Sequence, residues 1–294
     1  MLPLIKAAQS KGARDREKAY WNTYYCQSKV TTSDGRLYTN YCKNRFCATC
    51  SGNRRAELMH RYQPILTTWS DPHFVTLTRQ SVKHEQLQKT IQEMFSKFQK
   101  IVNKYKKRSQ RGTDYKLIGV KSLECNFNPK DRTYNPHFHL IVPNEKTAEA
   151  IKAEWLACWP KKIANEIAQH SRPVKDLESD LVEIIKYRTK TFTELDASRK
   201  SGKKEKPTIY ALAMDNIYKA TKGIRIFDRF GFNTPKAEKK ASTGGQWLVD
   251  YYQWEYDPKA ADWLHPTWEM GLTDYNPPAE LRNLLDNHIN TDLE

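Results

Sequence analysis

Apolar positions recur along this chain with two different periods, and the change of period marks the elements. Over residues 82–107 they fall at Leu87, Ile91, Met94, Phe95, Phe98, Ile101, Val102 and Tyr105, the spacing of one helix face. Ahead of that helix, residues 73–78 (HFVTLT) form a short run of β-branched and aromatic residues, which predicts a buried strand. Behind it, residues 116–127 and 137–142 are also strand-like. The link between these two is too short for a parallel crossover, so they are expected to pair as an antiparallel hairpin. Further helices are predicted over 147–159 and 179–189, each behind a capping-type residue, and over 207–221, where Pro207 opens the helix and Gly223 lies just past its end. Antiparallel strands mixed with helices define an α+β fold class.

Charge divides the chain where hydropathy does not. Among the 294 residues, Lys and Arg number 49 against 34 Asp and Glu, a net charge of +15 that favours polyanionic partners, nucleic acid first. Residues beyond 245 run against this trend, with ten acids against Lys259 and Arg282, so the tail carries about −8 and the rest about +23. Four of the eight tryptophans, Trp247, Trp254, Trp263 and Trp268, lie in that tail, too many aromatics for simple disorder. The division expected is a basic cysteine-bearing segment over 1–70, a main domain over 71–235, a linker over 236–245 and an acidic Trp-rich appendage over 246–294. A basic run at 198–207 (SRKSGKKEKP) is read as an exposed loop. No apolar run approaches the roughly 18 residues of a spanning helix. The first twenty residues lack the apolar core of a secretory signal, so a cytoplasmic location with no membrane partner is expected.

Three groups of residues carry candidate chemistry. Cys42, Cys47 and Cys50 in CKNRFCATC have C-x4-C-x2-C spacing, and Cys26 lies sixteen residues upstream. Four thiolates suit tetrahedral Zn²⁺, with His60 or a cysteine elsewhere as alternatives to Cys26. Arg54, Arg55 and Arg61 follow as a basic flank that either faces DNA phosphates or forms an ordinary solvated helix face. In YNPHFHLIV, His137 and His139 are two apart on a strand, so both imidazoles share one face, and hairpin pairing can bring the Glu124 carboxylate beside them. Two imidazoles and a carboxylate with open positions hold a divalent ion, Mg²⁺ or Mn²⁺, that can also bind a phosphate oxygen. Finally, Glu183, Tyr187 and Lys190 fall at i, i+4 and i+7, one stripe of a helix, where a base or cation can make the tyrosine a nucleophile.

The order HFVTLT, Glu124, PHFHLI, EIIKYRTK resembles the rolling-circle replication initiators of small plasmids, single-tyrosine members of the HUH endonuclease superfamily. CKNRFCATC and IYKATKGIRIFDRFG also resemble segments of those initiators, and the likeness runs from about Cys42 to Gly231. The resemblance implies a ferredoxin-like or RRM-like antiparallel sheet with helices on one face and a metal on the other, behind an N-terminal zinc-binding segment. Carried over by position, it makes His137, His139 and Glu124 the metal ligands, Tyr187 the nucleophile, and Glu183 and Lys190 its acidic and basic companions. It implies single-stranded or hairpin origin DNA as substrate, with a host helicase and DNA polymerase as partners. Two departures stand out: Cys125 and Asn126 follow Glu124 where Thr-rich sequence is expected, and the acidic tail has no counterpart. A transposase or relaxase of the same superfamily would share the histidine pair and tyrosine, whereas a zinc-containing DNA-binding regulator would explain only charge and cysteines.

Overall fold

The structure is a computed structural model that describes residues 1–33, 36–185, 207–234, 252–267 and 270–272. In chain order its elements are α1 (Leu2–Gln9), α2 (Arg14–Tyr24), β1 (Lys29–Ser33), β2 (Arg36–Thr39), α3 (Ala48–Leu66), β3 (His73–Thr78), α4 (His84–Gln110), β4 (Gly119–Asn128), β5 (Thr133–Val142), α5 (Glu145–Ala157), β6 (His170–Pro173), α6 (Leu177–Ile185), α7 (Pro207–Ala220), β7 (Phe227–Phe230), β8 (Tyr252–Asp257) and β9 (Asp262–Leu264). Tyr187 and Lys190, the basic run at 198–207 but for its last residue, the linker at 236–245, and Trp247 and Trp268 of the tail lie outside the described residues.

The central sheet has the order β6-β3-β5-β4-β7, with every neighbouring pair antiparallel. Strand β3 has the expected bounds, and β4 and β5 form the expected hairpin, in register from Val120 opposite Ile141 to Asn128 opposite Thr133. Asn128 closes the turn by accepting from the backbone N–H groups of Lys130 and Asp131. Helix α5 begins where Asn144 accepts from the Thr147 N–H at 2.9 Å, and α7 ends before Gly223, whose φ of +75° suits the residue that follows a helix.

Alternation along the strands gives the sheet two faces. One carries Val75, Leu77, Leu123, Phe138, Leu140 and Val142, all buried against α4, α5 and α7. The other carries Phe74, Val120 and Ile141, which pack against Tyr62 and Leu66 of α3 and against Leu181, Ile184 and Ile185 of α6. Helices therefore cover both faces, which corrects the expectation of helices on one face. The reason lies in the strands: Phe74, Val120 and Ile141 are apolar residues on the polar-site face, and they need cover of their own.

A second sheet, of order β2-β1-β8-β9, joins the two ends of the chain. Strand β8 lies antiparallel to β1, with Val30 opposite Trp254, and the indole of Trp254 donates to Thr32 Oγ1 at 2.9 Å. The N-terminal cysteine segment and the C-terminal appendage are thus not spatially separate units: described strands of each pair with the other. Helices α1 and α2 dock onto α7 around Asp215, whose fully buried carboxylate receives Lys11 at 2.8 Å, Arg16 at 2.7 Å and the Tyr20 hydroxyl at 3.0 Å. No helix among the described residues is long and apolar enough to cross a membrane.

Candidate functional site

The hairpin register brings Glu124 directly opposite His137, and His139 follows on the same face. Glu124 Oε2 lies 3.5 Å from His137 Nε2 and 3.4 Å from His139 Nε2. Those distances are long for charge-assisted hydrogen bonds, but they match two donors sharing one ion, which stand roughly 3.0 to 3.4 Å apart when each is about 2.1 Å from it. The outer nitrogens support the same reading. His137 Nδ1 faces the Asn135 carbonyl at 3.0 Å, an oxygen that can only accept, so Nδ1 donates to the backbone and Nε2 is the nitrogen turned towards Glu124. His139 Nδ1 lies 3.1 Å from Thr76 Oγ1, which can accept in the same way. Two imidazole nitrogens and a carboxylate thus converge on one point, and this donor set fits a divalent metal.

Burial would raise the Glu124 carboxyl, but its contacts with His137 and His139 outweigh that and hold it down at about 2. The carboxylate is therefore ionised across the neutral range. Cys125 and Asn126, which depart from the expected Thr-rich pattern, are explained in part by alternation: Cys125 points to the opposite face and is buried in the α4 core.

Helix α6, which carries Glu183, packs against this face. Its Leu181, Ile184 and Ile185 pack beside Ile141, the next residue after His139 on that face of β5. Glu183 is half-buried on α6, within electrostatic reach of Arg172. Arg172 itself pairs with Asp180 and stacks over Phe74, whose ring lies 5.2 Å from that of His139. Glu183 is thus on an element packed against the histidine face, while Tyr187 and Lys190 continue the same chain outside the described residues.

The cysteine cluster is assembled from three segments. Cys26 follows α2, Cys42 and Cys47 sit in the loop before α3, and Cys50 is in its first turn. Their sulfurs all lie within 4.8 Å of one another, with Cys26–Cys50 and Cys42–Cys50 at 3.7 Å. Sulfurs bound tetrahedrally at about 2.3 Å would be about 3.8 Å apart, so the donors fit a single tetrahedral ion. Contact with Cys26 draws the Cys47 thiol down to about 5, and burial pushes Cys50 up to about 11. Four sulfurs this close cannot all ionise without a cation among them. The exposed His60 is not one of the group, so the geometry selects Cys26 from the alternatives.

Arg54, Arg55 and Arg61 are exposed on α3, where Arg61 pairs with Glu57 one turn away at 2.7 Å. Sequence reasoning missed Thr76 and Asn135, which orient the two imidazoles. Alternation in HFVTLT signals the first, since Thr76 lies opposite His139. It also missed the cations of the turn after α7, Lys222 and Arg225, which lie near the cysteine loop around a shared groove.

The described residues thus hold two groups of possible metal ligands, one of four cysteines and one of Glu124, His137 and His139, and comparison with known proteins supplies the family. The family model of the replication proteins matches residues 36–246, more than half of the chain, and the chain belongs to that family. It is similar to proteins named Protein rep: 30% identical over 164 residues to one from a Bacillus species, 51% of this chain and 52% of that one. Two others are each 31% identical, one from Bacillus amyloliquefaciens over 139 residues (44% of this chain, 39% of the relative) and one from Staphylococcus aureus over 142 residues (44% and 59%). The chain spans about half the length of these curated relatives. No solved structure matches it.

Proposed function

We propose that this chain initiates rolling-circle replication of a plasmid by cutting one strand of origin DNA through Tyr187. The observation that carries the reading is the convergence of His137 Nε2, His139 Nε2 and the Glu124 carboxylate in a chain of the replication protein family. The phenol oxygen of Tyr187 attacks the scissile phosphorus and the P–O3′ bond breaks. The tyrosine keeps the 5′-phosphate, and the departing oxygen takes up a proton as a free 3′-OH that a host polymerase extends. Mg²⁺ or Mn²⁺ bound by His137, His139 and Glu124 would polarise a non-bridging oxygen of that phosphate. Lys190 offsets the negative charge that develops during attack, and Glu183 takes a proton from the water that closes the cycle, since the motif holds no second tyrosine. The substrate is single-stranded or extruded at the cut, where a phosphate can reach a recessed tyrosine, and a host helicase unwinds the duplex ahead. Cys26, Cys42, Cys47 and Cys50 hold a structural Zn²⁺ that fixes the start of α3 against α2.

The test is intact mass after mixing the protein with single-stranded DNA from its own origin and Mn²⁺. Wild type gains the mass of the 5′-phosphorylated fragment, and Tyr187→Phe does not. Absence of an adduct on wild type that binds both DNA and Mn²⁺ would remove Tyr187 as nucleophile and favour a zinc-containing DNA-binding regulator.

A further inference from the structure

A basic groove outside the histidine cluster has no part in the chemistry above. Its volume is roughly 210 Å³, and it lies where the cysteine loop meets the turn between α7 and β7. Five cationic residues line it: Lys43 and Arg45 from the loop, Arg54 from α3, and Lys222 and Arg225 from the turn. None of its described lining residues is acidic. The three parts are held in register. Cys42 and Cys47 bracket Lys43 and Arg45, Asn44 accepts from the Phe46 N–H at 3.0 Å, and Arg45 donates to the Thr221 carbonyl at 3.0 Å at the end of α7.

We propose that this groove seats the phosphate backbone of double-stranded DNA beside the unpaired segment that is cut. The proposal rests on the proposed function only in taking DNA as the substrate. The groove concentrates positive charge, which suits an anionic polymer, and its lack of a free stacking surface points to duplex backbone. Single-strand grooves pair cations with aromatic platforms for bases. The aromatic residue lining this groove is Tyr218, whose ring is already engaged by Tyr20 at 5.3 Å and Phe46 at 5.4 Å. What remains is a set of long cationic side chains without a stacking surface, the equipment of backbone positioning. The outward partners of the turn are weak competitors: Lys222 meets Asp15 in an exposed pair, and Arg225, itself exposed, meets the half-buried Asp228 at 3.3 Å, surface pairs of the kind a phosphate displaces at little cost.

The experiment measures binding of the full chain to a duplex and to a single-stranded oligonucleotide from its origin, by fluorescence anisotropy across a salt series. The groove variant is Lys43→Ala/Arg54→Ala/Arg225→Ala, one cation from each part, with Arg45 kept because it caps α7. The control is Lys89→Ala/Lys100→Ala/Lys106→Ala, which removes the same charge from exposed positions of α4. Thermal melting of both variants checks that they fold as wild type does. For the groove variant alone, the slope of log affinity against log salt on duplex is expected to fall by roughly 2 to 3, at about 0.9 per lost phosphate contact. Duplex affinity should then drop about tenfold or more while single-strand affinity drops less. An equal loss in the control would reduce the groove to general charge and overturn the proposal. A loss confined to the single strand would overturn the duplex assignment. Adduct formation by wild type is read separately, so failure of the tyrosine mechanism leaves this result standing.

Discussion

The two faces of the central sheet are built from the same strands, yet they ask opposite things of alternate residues. His137, Phe138 and His139 are consecutive on β5. Phe138 is fully buried, with its ring 5.0 Å from Phe95, 5.6 Å from Phe98 and 5.9 Å from Trp155. The histidines on either side turn their Nε2 atoms towards Glu124. One face thus spends its residues on packing, and the other carries the Glu124, His137 and His139 group to which metal binding is assigned in the proposed function. Stability and activity should therefore separate along a single strand, one residue at a time.

Phe138→Ala is the largest blow to that separation. It empties a fully buried ring site and should destabilise the chain by about 3–5 kcal/mol, read as a lower denaturant midpoint with metal binding lost only through unfolding. His139→Ala, one residue on, should shift stability by about 1 kcal/mol or less in metal-free buffer, yet abolish Mn²⁺ binding and the DNA adduct. Equal destabilisation by the two would show that the histidine face also holds the fold together.

Lys121 sharpens the comparison from the other side, because it is a cation on the packing face. It is only 7% exposed, with Nζ 4.4 Å from the centre of the Phe95 ring and near those of Phe98 and Phe138. Burial pushes its pKa from 10.5 down to about 8, against the pull of Asp228. The unfolded chain keeps this proton up to its ordinary pKa while the folded chain releases it near 8, so between those values the unfolded state binds more protons and stability rises with pH. Lys121→Met should raise stability at pH 7 by about 1–2 kcal/mol, since a ring contact of this kind recovers less than the cost of burying the charge. The variant should also flatten the rise of melting temperature between pH 8 and 10. A less stable variant at pH 7 would mean that the aromatic rings more than offset the desolvation.

Legibility in the sequence followed the distance over which partners meet. Strand β3, the β4–β5 hairpin and helix α4 were readable because a local period defines each, and the Glu124–His137 pairing followed from the hairpin alone. The start of α4 was read two residues early: Val82 is instead held in a bridge to Tyr134. The second sheet was not readable, since β1 and β8 are joined across more than two hundred residues and neither alternates strongly enough to name its partner. Tryptophan content hinted that the tail folds, and Trp254 is indeed buried, but only the structure shows that Val30 and Thr32 receive it. Helices on the second face were missed for a related reason. The histidines drew attention to the polar half of that face, while Phe74, Val120 and Ile141 on the same face called for α3 and α6.

The smallest expected effect tests whether the chemical face is tuned as well as assembled. Thr76 is on β3 opposite His139, and its hydroxyl meets Nδ1 at 3.1 Å. Thr76→Val keeps the shape and β propensity but removes the oxygen that fixes the ring and its tautomer. Stability should change by about 1 kcal/mol or less, while Mn²⁺ affinity, measured by titration calorimetry, should fall about tenfold, as is typical when an outer partner of a ligating histidine is lost. Thr76→Ser, which restores the hydroxyl, should recover most of that affinity. If valine binds Mn²⁺ as tightly as threonine, the ring is held by packing against Phe74 instead, and the packing logic of the opposite face reaches into the site itself.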